Sequence, residues 1–339
     1  MDTPHSLSLL LGLSIGLVFG VTAQITGFCF YRGLKQRWSH REGVQLPSFA
    51  LALSVAILGT QLSAALGWVD LSQSTYRSPT FSWLLLPLGG VLFGYGMALA
   101  NGCGARALVL LGQGNLRSLV VLGSLGITAL MTLTGLIAPL RHAVSAATAV
   151  QLKQNSLSLL PWSWLWIALL VVLLLGYVWR APATPTRNRD LIGAAVIGLL
   201  ITLGWLSTGW WGADPFDPQP LSSLSFVVPV GQSIQYSMLA TGMEAKFALL
   251  VVLGLVLGSL GSALVRGRFQ WEGFTNTAQL ARAIVGGALM GIGGVFAVGC
   301  TIGQGLSGIS TLAYSSMLSL ACIALGAWLH QLGSTSSSA

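Results

Sequence analysis

Charge is what this sequence lacks. Only 7 % of its 339 residues are Asp, Glu, Lys or Arg, against about 25 % in a soluble domain. From Ala283 to Ala339 there is not one of them. A soluble globular enzyme is excluded on that ground. Disorder is excluded too, because it requires low hydrophobicity and high charge, whereas 54 % of this chain is hydrophobic. No carboxylate falls inside an apolar run, Glu244 and Glu272 lying near run ends. A carboxylate relay for sodium or protons, and a dicarboxylate metal site, therefore have no ligands, and no nucleotide-binding motif is present. The four cysteines, at 29, 103, 300 and 322, form no Cys-x-x-Cys pair, so neither a thioredoxin-type motif nor a zinc knuckle is readable. No cofactor is implied, and no enzymatic activity. The net charge of +8 comes from basic residues placed between apolar runs, where they orient a membrane protein rather than bind nucleic acid.

What is present is apolar sequence in lengths that fit a bilayer. A spanning helix needs about 20 apolar residues. Nine such runs are expected, near Leu7–Phe30, Phe49–Val69, Trp83–Ala100, Ser118–Ala138, Trp162–Trp179, Leu191–Trp211, Ala245–Val265, Ala283–Val298 and Ser310–Leu329. Trp68, Trp83, Trp162, Trp179 and Trp211 sit at run ends, as an interfacial aromatic belt requires. Val21-Thr22-Ala23 resembles a signal-peptide cleavage site. The head carries Asp2 and no basic residue, and the apolar run continues past Ala23, so the first run reads as a helix that stays. With the first loop cytoplasmic, that side holds twelve of the 16 Lys and Arg residues: Arg32, Lys35, Arg37, Arg41, Arg106, Arg117, Arg180, Arg187, Arg189, Arg266, Arg268 and Arg282. The other side holds Arg77, Arg141, Lys153 and Lys246. By the positive-inside rule the N-terminus is expected in the periplasm and the C-terminus in the cytoplasm.

Three stretches do not read as plain spans. Leu221–Met243 is interrupted by Pro229, Gly231 and Gly242 and reads as re-entrant or interfacial. Asn101–Asn115 and Gly299–Gly308 are Gly-rich and apolar, and non-helical backbone at membrane depth is tolerated only inside protein or along a cavity.

The last two follow an internal repeat. Gly89–Cys103 (GGVLFGYGMALANGC) and Gly286–Cys300 (GGALMGIGGVFAVGC) match at 8 of 15 positions, where one or two would match by chance. A Gly-Gln-Gly follows each at different spacing, at 112–114 and 303–305. The copies lie on the third and eighth runs and so point in opposite directions. The expected fold is all-α and polytopic, with an inverted-topology repeat: a first half at 1–140, a linking span at 141–189 and an inverted half at 190–339. Such repeats place a substrate site near the midplane between broken helices.

The glycines divide into two groups. Gly90/Gly94, Gly287/Gly291, Gly16/Gly20 and Gly254/Gly258 are GxxxG pairs suited to close helix packing. Gly102, Gly104, Gly299, Gly303 and Gly305 crowd a cysteine, where backbone can approach a ligand. A small-residue loop leading into a short helix presents N–H groups and a positive dipole end to an anion. Arg106 adds a formal charge, either to the site or as a topology anchor at the loop mouth. A buried cysteine is usually an inert small hydrophobe, which suits Cys322. Cys103 and Cys300 are paired by the repeat, and Cys29 closes the first run. A thiol in apolar surroundings stays protonated, so three in a row can hand on a polarisable sulfur anion by weak hydrogen bonds, without redox chemistry.

The Gly-Cys loops at 102–103 and 299–300, the stretch Gln24…Gly27-Phe28-Cys29-Phe30…Arg32 and the two-half layout together resemble the YeeE/YedE sulfur-transport family of the bacterial inner membrane. The resemblance covers most of the chain. It implies thiosulfate uptake into the cytoplasm, with Cys29, Cys103 and Cys300 as a relay of S–H···S hydrogen bonds along a narrow path. It also implies an hourglass of spanning and membrane-dipping helices. Family members often work beside a separate, soluble TusA-like sulfur carrier. The chain departs from internal symmetry in one respect: Thr-Ile-Gly-Gln-Gly follows Cys300, whereas Gly-Ala-Arg-Ala-Leu follows Cys103. Gln24, Asn101, Gln113, Gln232, Gln235 and Gln304 line a path or bond between helices, Gln24 and Gln304 being nearest a key cysteine. His5, His40, His142 and His330 receive no role. Other readings are a different sulfur or selenium cargo, a membrane thiol oxidoreductase, or a structural or sensory protein.

Overall fold

The fold was obtained as a computed structural model, which describes residues 3–39, 43–152, 154–159, 162–213 and 220–336. The expectations attached to Asp2, His40, Arg41 and Lys153, and to the side chain of His5, lie outside the described residues. The molecule is a polytopic membrane protein built almost wholly from helices. These are α1 (Thr3–Thr26), α2 (Phe30–Trp38), α3 (Gln45–Ala65), α4 (Leu85–Leu99), α5 (Gly104–Gly112), α6 (Leu116–Leu133), α7 (Ala138–Ala147), α8 (Ser163–Trp179), α9 (Arg187–Leu206), α10 (Val227–Leu239), α11 (Phe247–Val265), α12 (Thr277–Phe296) and α13 (Tyr314–Ser336). A small antiparallel pair, β1 (Thr80–Ser82) with β2 (Ala149–Gln151), ties two connections together.

Among the described residues, eight helical segments are long and apolar enough to cross a bilayer. The ninth expected span, α8, has 17 residues, the lower limit for crossing about 30 Å of hydrocarbon. Several boundaries differ from the sequence reading. The first helix stops at Thr26, because Gly27 takes φ +64° and turns the chain out of the helix. The Asn101–Asn115 stretch is largely α5, since Ala105, Ala107 and the leucines that follow are strong helix formers. Gly303–Gly308 winds as a π-helix, a wide turn frequent at functional sites. The expected re-entrant piece at Leu221–Met243 contains α10, whose 13 residues are too few to span.

The GxxxG pairs do what small residues do in lipid. A side chain at Gly16 or Gly20 would strike the Val251 or Leu255 carbonyl of α11, and one at Gly254 or Gly258 would strike the Leu13 or Leu17 carbonyl of α1. Helices α4 and α13 meet in the same way at Gly90 and Gly94, and α6 and α12 at Gly287 and Gly291. The repeated helices α4 and α12 pack on each other through their own glycines. Gly89 lies against Ala297, and Gly96 against Gly286. The start of one copy thus meets the end of the other, so the two run antiparallel. Helix α1 packs along α11 and α3 along α9, while α6 packs along α12 and α4 along α13.

Candidate functional site

Cys103 and Cys300 of the repeat and Cys29 of the first run occupy the same local position. Each stands three or four residues past the end of a helix, and its carbonyl accepts the first bond of the turn that follows: Gly33 N–H to Cys29 at 3.2 Å, Ala107 N–H to Cys103 at 2.9 Å and Gln304 N–H to Cys300 at 2.7 Å. Two residues upstream of each, the backbone is left-handed, at Gly27 (+64°), Asn101 (58°) and Val298 (58°). The ends of α4 and α12 are closed identically, by Gly102 N–H to Met97 O at 2.9 Å and Gly299 N–H to Gly294 O at 2.8 Å. A β-branched residue such as Val298 is a genuine outlier at positive φ, and strain of this kind amounts to about 1–3 kcal/mol. Each thiol therefore stands at the positive end of a following helical turn. The Gly303 N–H donates to Cys300 Sγ at 3.3 Å.

Two of the three cysteines, Cys29 and Cys103, bound one inner cavity. On one face of the molecule, two adjoining cavities of about 430 and 240 Å³ share Thr75, Tyr76, Arg141, Val295 and Val298 and form a vestibule. Ser225, Gly299 and Lys246 line its larger lobe, and Gln304 the smaller. Deeper lies a cavity of about 10 Å³ bounded by Phe19, Cys29, Cys103, Arg106, Thr301 and Ile302 among others. That is room for about one water. Residues 298 and 299 border the vestibule and residues 301 and 302 the inner cavity. Cys300, 1 % exposed, thus lies between residues of the two cavities. Phe226, fully buried at the start of α10, packs 5.5 Å from Phe19 of the inner cavity and makes the partition apolar.

The remaining sequence-derived candidates fall into three groups. Gly303 faces the Cys300 site: a Cβ there would lie 2.8 Å from Ser225 Oγ and 3.2 Å from Tyr76 Oη. Arg106 borders the inner cavity, and its Cδ is 3.1 Å from where a Cβ at Gly102 would stand. Gln304 and Gln24 are clamps as much as lining. Gln304 Nε2 donates to Ala297 O at 2.5 Å, and Gln24 Oε1 accepts from Ser262 Oγ at 2.8 Å. The other amide atom of each is buried and unpartnered. Asn101 is exposed at the end of α4, where its backbone does the work. Gly104 packs on Leu125, and Gly305 on Leu320 and Phe49. Cys322 packs against Gly90 and lines none of these cavities. Among the described residues no cluster of His, Cys, Asp and Glu is suited to hold a metal.

Sequence reasoning missed Tyr76, Ser225 and Thr301. Tyr76 and Ser225 sit in unremarkable local sequence and only the fold brings them to Cys300, while Thr301 follows Cys300 directly but reaches the Cys103 cavity only through the fold. Burial, aided by the nearby Cys300, pushes the Tyr76 phenol above its ordinary range, so the hydroxyl remains a hydrogen-bond donor. Arg77, next to it, serves the scaffold. Its Nε and Nη2 donate to Thr311 O at 3.0 and 2.7 Å, fixing the chain beyond the π-helix.

Broken antiparallel repeats, a basic vestibule and buried thiols at the inner cavity define a membrane protein of the transporter class. A family model described as Sulphur transport matches residues 25–329, and the chain belongs to that family. It is 27 % identical over 336 residues to the thiosulfate transporter TsuA of Spirochaeta thermophila, covering 94 % of this chain and 96 % of that one. It is 25 % identical over 344 residues to the thiosulfate transporter TsuA of Escherichia coli K12, covering 94 % and 93 %.

Proposed function

We propose that this protein carries thiosulfate from the periplasm into the cytoplasm across the bacterial inner membrane. What supports the reading is that Cys103 and Cys29 bound one inner cavity, and that the chain neighbours of Cys300 border that cavity on one side and the vestibule on the other. Arg141 and Lys246 at the vestibule attract the dianion. Cys300 receives its terminal sulfur, with the Tyr76 and Ser225 hydroxyls beside it. The Cys103 and Cys29 thiols, which bound the inner cavity together, take the sulfur on. Arg106 and, beyond it, Arg32 draw the anion toward the cytoplasmic face. Protonated thiols suit this task because a thiolate would repel the anion, most strongly where the dielectric is low.

The orientation follows from the lysine and arginine bias, with the N-terminus periplasmic and the C-terminus cytoplasmic. The two halves, 1–140 and 190–339, are related as an inverted repeat, with 141–189 as the link. The exchange of partners supports this: α1 on α11 answers α9 on α3, and α4 on α13 answers α12 on α6. A separate TusA-like carrier on the cytoplasmic side is the natural acceptor of the sulfur, and its removal keeps the gradient inward.

The test is uptake of ³⁵S-thiosulfate by the purified protein in liposomes, with unlabelled sulfate, selenite or hydrosulfide as competitors. Saturable uptake that only thiosulfate competes away is expected. Uptake displaced more strongly by another of these anions would reassign the cargo, and no saturable uptake would refute transport of thiosulfate. The second reading, thiol exchange, rests on Cys29 and Cys103 bounding the same cavity. It requires a disulfide between them, and intact-mass measurement without reductant is expected to find both thiols free.

A further inference from the structure

Thr301 is fully buried, and its hydroxyl has no oxygen or nitrogen partner, only the Cys103 thiol beside it. Buried hydroxyls elsewhere in the molecule usually bond back to a carbonyl one turn earlier, as Thr132 does to Thr128 O at 2.7 Å and Ser54 to Ala50 O at 2.9 Å. Thr301 does not. The carbonyl one turn behind it, Ala297 O, is held by Gln304 Nε2. The hydroxyl instead borders the inner cavity, facing the Cys103 thiol. Ser48, Thr60, Ser316 and Ser319 carry unpartnered buried hydroxyls too, but none of these four borders the inner cavity, where a passing ligand can satisfy the Thr301 hydroxyl.

The polar groups bounding that cavity are two thiols, one guanidinium and this hydroxyl. Thiols are weak donors suited to a soft, polarisable sulfur. A hydroxyl is an ordinary donor suited to oxygen. The vestibule side repeats the combination, with Cys300 beside the Tyr76 and Ser225 hydroxyls at Gly303. We propose that Thr301 contacts the transported anion directly, donating to one of its oxygens while the anion's terminal sulfur rests on Cys103. The site thus reads both ends of an oxoanion that carries one terminal sulfur. Sulfate offers no soft sulfur to the thiols, and hydrosulfide or a persulfide offers no oxygen to Thr301. The inference rests on the transport reading above and adds to it a residue and a basis for selection. The cavity holds about one water when closed, so it opens as the anion passes.

The experiment is thiosulfate uptake in liposomes by wild type, Thr301→Val and Thr301→Ser, at matched reconstitution and with free-thiol titration of each to verify that the cysteines are intact. Loss of a hydrogen bond to a charged group predicts a fall in uptake efficiency of about ten- to a hundredfold for Thr301→Val, with Thr301→Ser within about threefold of wild type. Uptake by Thr301→Val within about twofold of wild type overturns the proposal. Equal impairment of both variants also overturns it, because the methyl and not the hydroxyl would then matter. Absence of uptake by wild type is distinct from these and overturns the transport reading itself.

Discussion

Val298 is the residue at which local preference and the fold disagree most sharply. Its left-handed backbone is disfavoured for any β-branched side chain, yet it sets the reversal that delivers Cys300 to its place between the two cavities. Val298→Gly is expected to stabilise the protein by about 1 kcal/mol, by relieving the backbone. A rise in the melting temperature in detergent is the check, and a fall would show that the side chain's contacts outweigh the strain. Gly27 makes the opposite case. It shares the conformation, and a Cβ there would lie 2.9 Å from Arg32 Nη1. Gly27→Val combines strain with that clash and is expected to lower uptake while leaving Cys300 reactivity toward a small maleimide unchanged. Removing a thiol differs from both. Cys300→Ala and Cys103→Ala each keep the fold, since one sulfur atom is lost from a buried site, and each is expected to abolish uptake.

At the scale of elements, stability rests on glycine-mediated contacts between whole helices. Gly20 and Gly258 seat α1 on α11, and a leucine at either position forces the pair apart. Gly20→Leu and Gly258→Leu are each expected to destabilise by several kcal/mol, comparable with gross overpacking, and to lower the yield of monodisperse protein in detergent. This layer of the structure was legible in the sequence: the GxxxG spacing named the pairs, and the apolar runs named the spans. Their ends were less so. Gly27 ends α1 early, and the short helix expected after the first Gly-Cys loop takes up most of the Asn101–Asn115 stretch, because alanine and leucine dominate its centre. Of the site, the sequence exposed the cysteines, because a repeat of Gly-Cys is a visible pattern. Tyr76, Ser225 and Thr301 were hidden. Each reaches the site from a different segment, and no local signal ties Tyr76 to Gly303, more than two hundred positions away.

For the whole molecule, the vestibule and the inner cavity have separable roles. Arg141 and Lys246 border an open cavity on the face that the charge bias assigns to the periplasm. Their effect is one of field, raising the local concentration of an anion and fading as salt shortens the Debye length to about 8 Å at physiological ionic strength. Arg141→Gln with Lys246→Gln is expected to raise the KM for thiosulfate several-fold at low ionic strength, with little change in maximal rate, and to flatten the salt dependence. An unchanged KM would show that the anion enters elsewhere. The chain's interior asks for different evidence, because the claim that joins fold to function is that thiosulfate passes by way of the buried thiols. The most direct measurement is growth on thiosulfate as sole sulfur source of a bacterium lacking sulfate and thiosulfate import, carrying either the wild-type protein or Cys103→Ala, with equal membrane expression and a TusA-like carrier supplied. Growth with the wild type alone is the result predicted. Equal growth with both would contradict the relay, and growth with neither would contradict thiosulfate as the cargo.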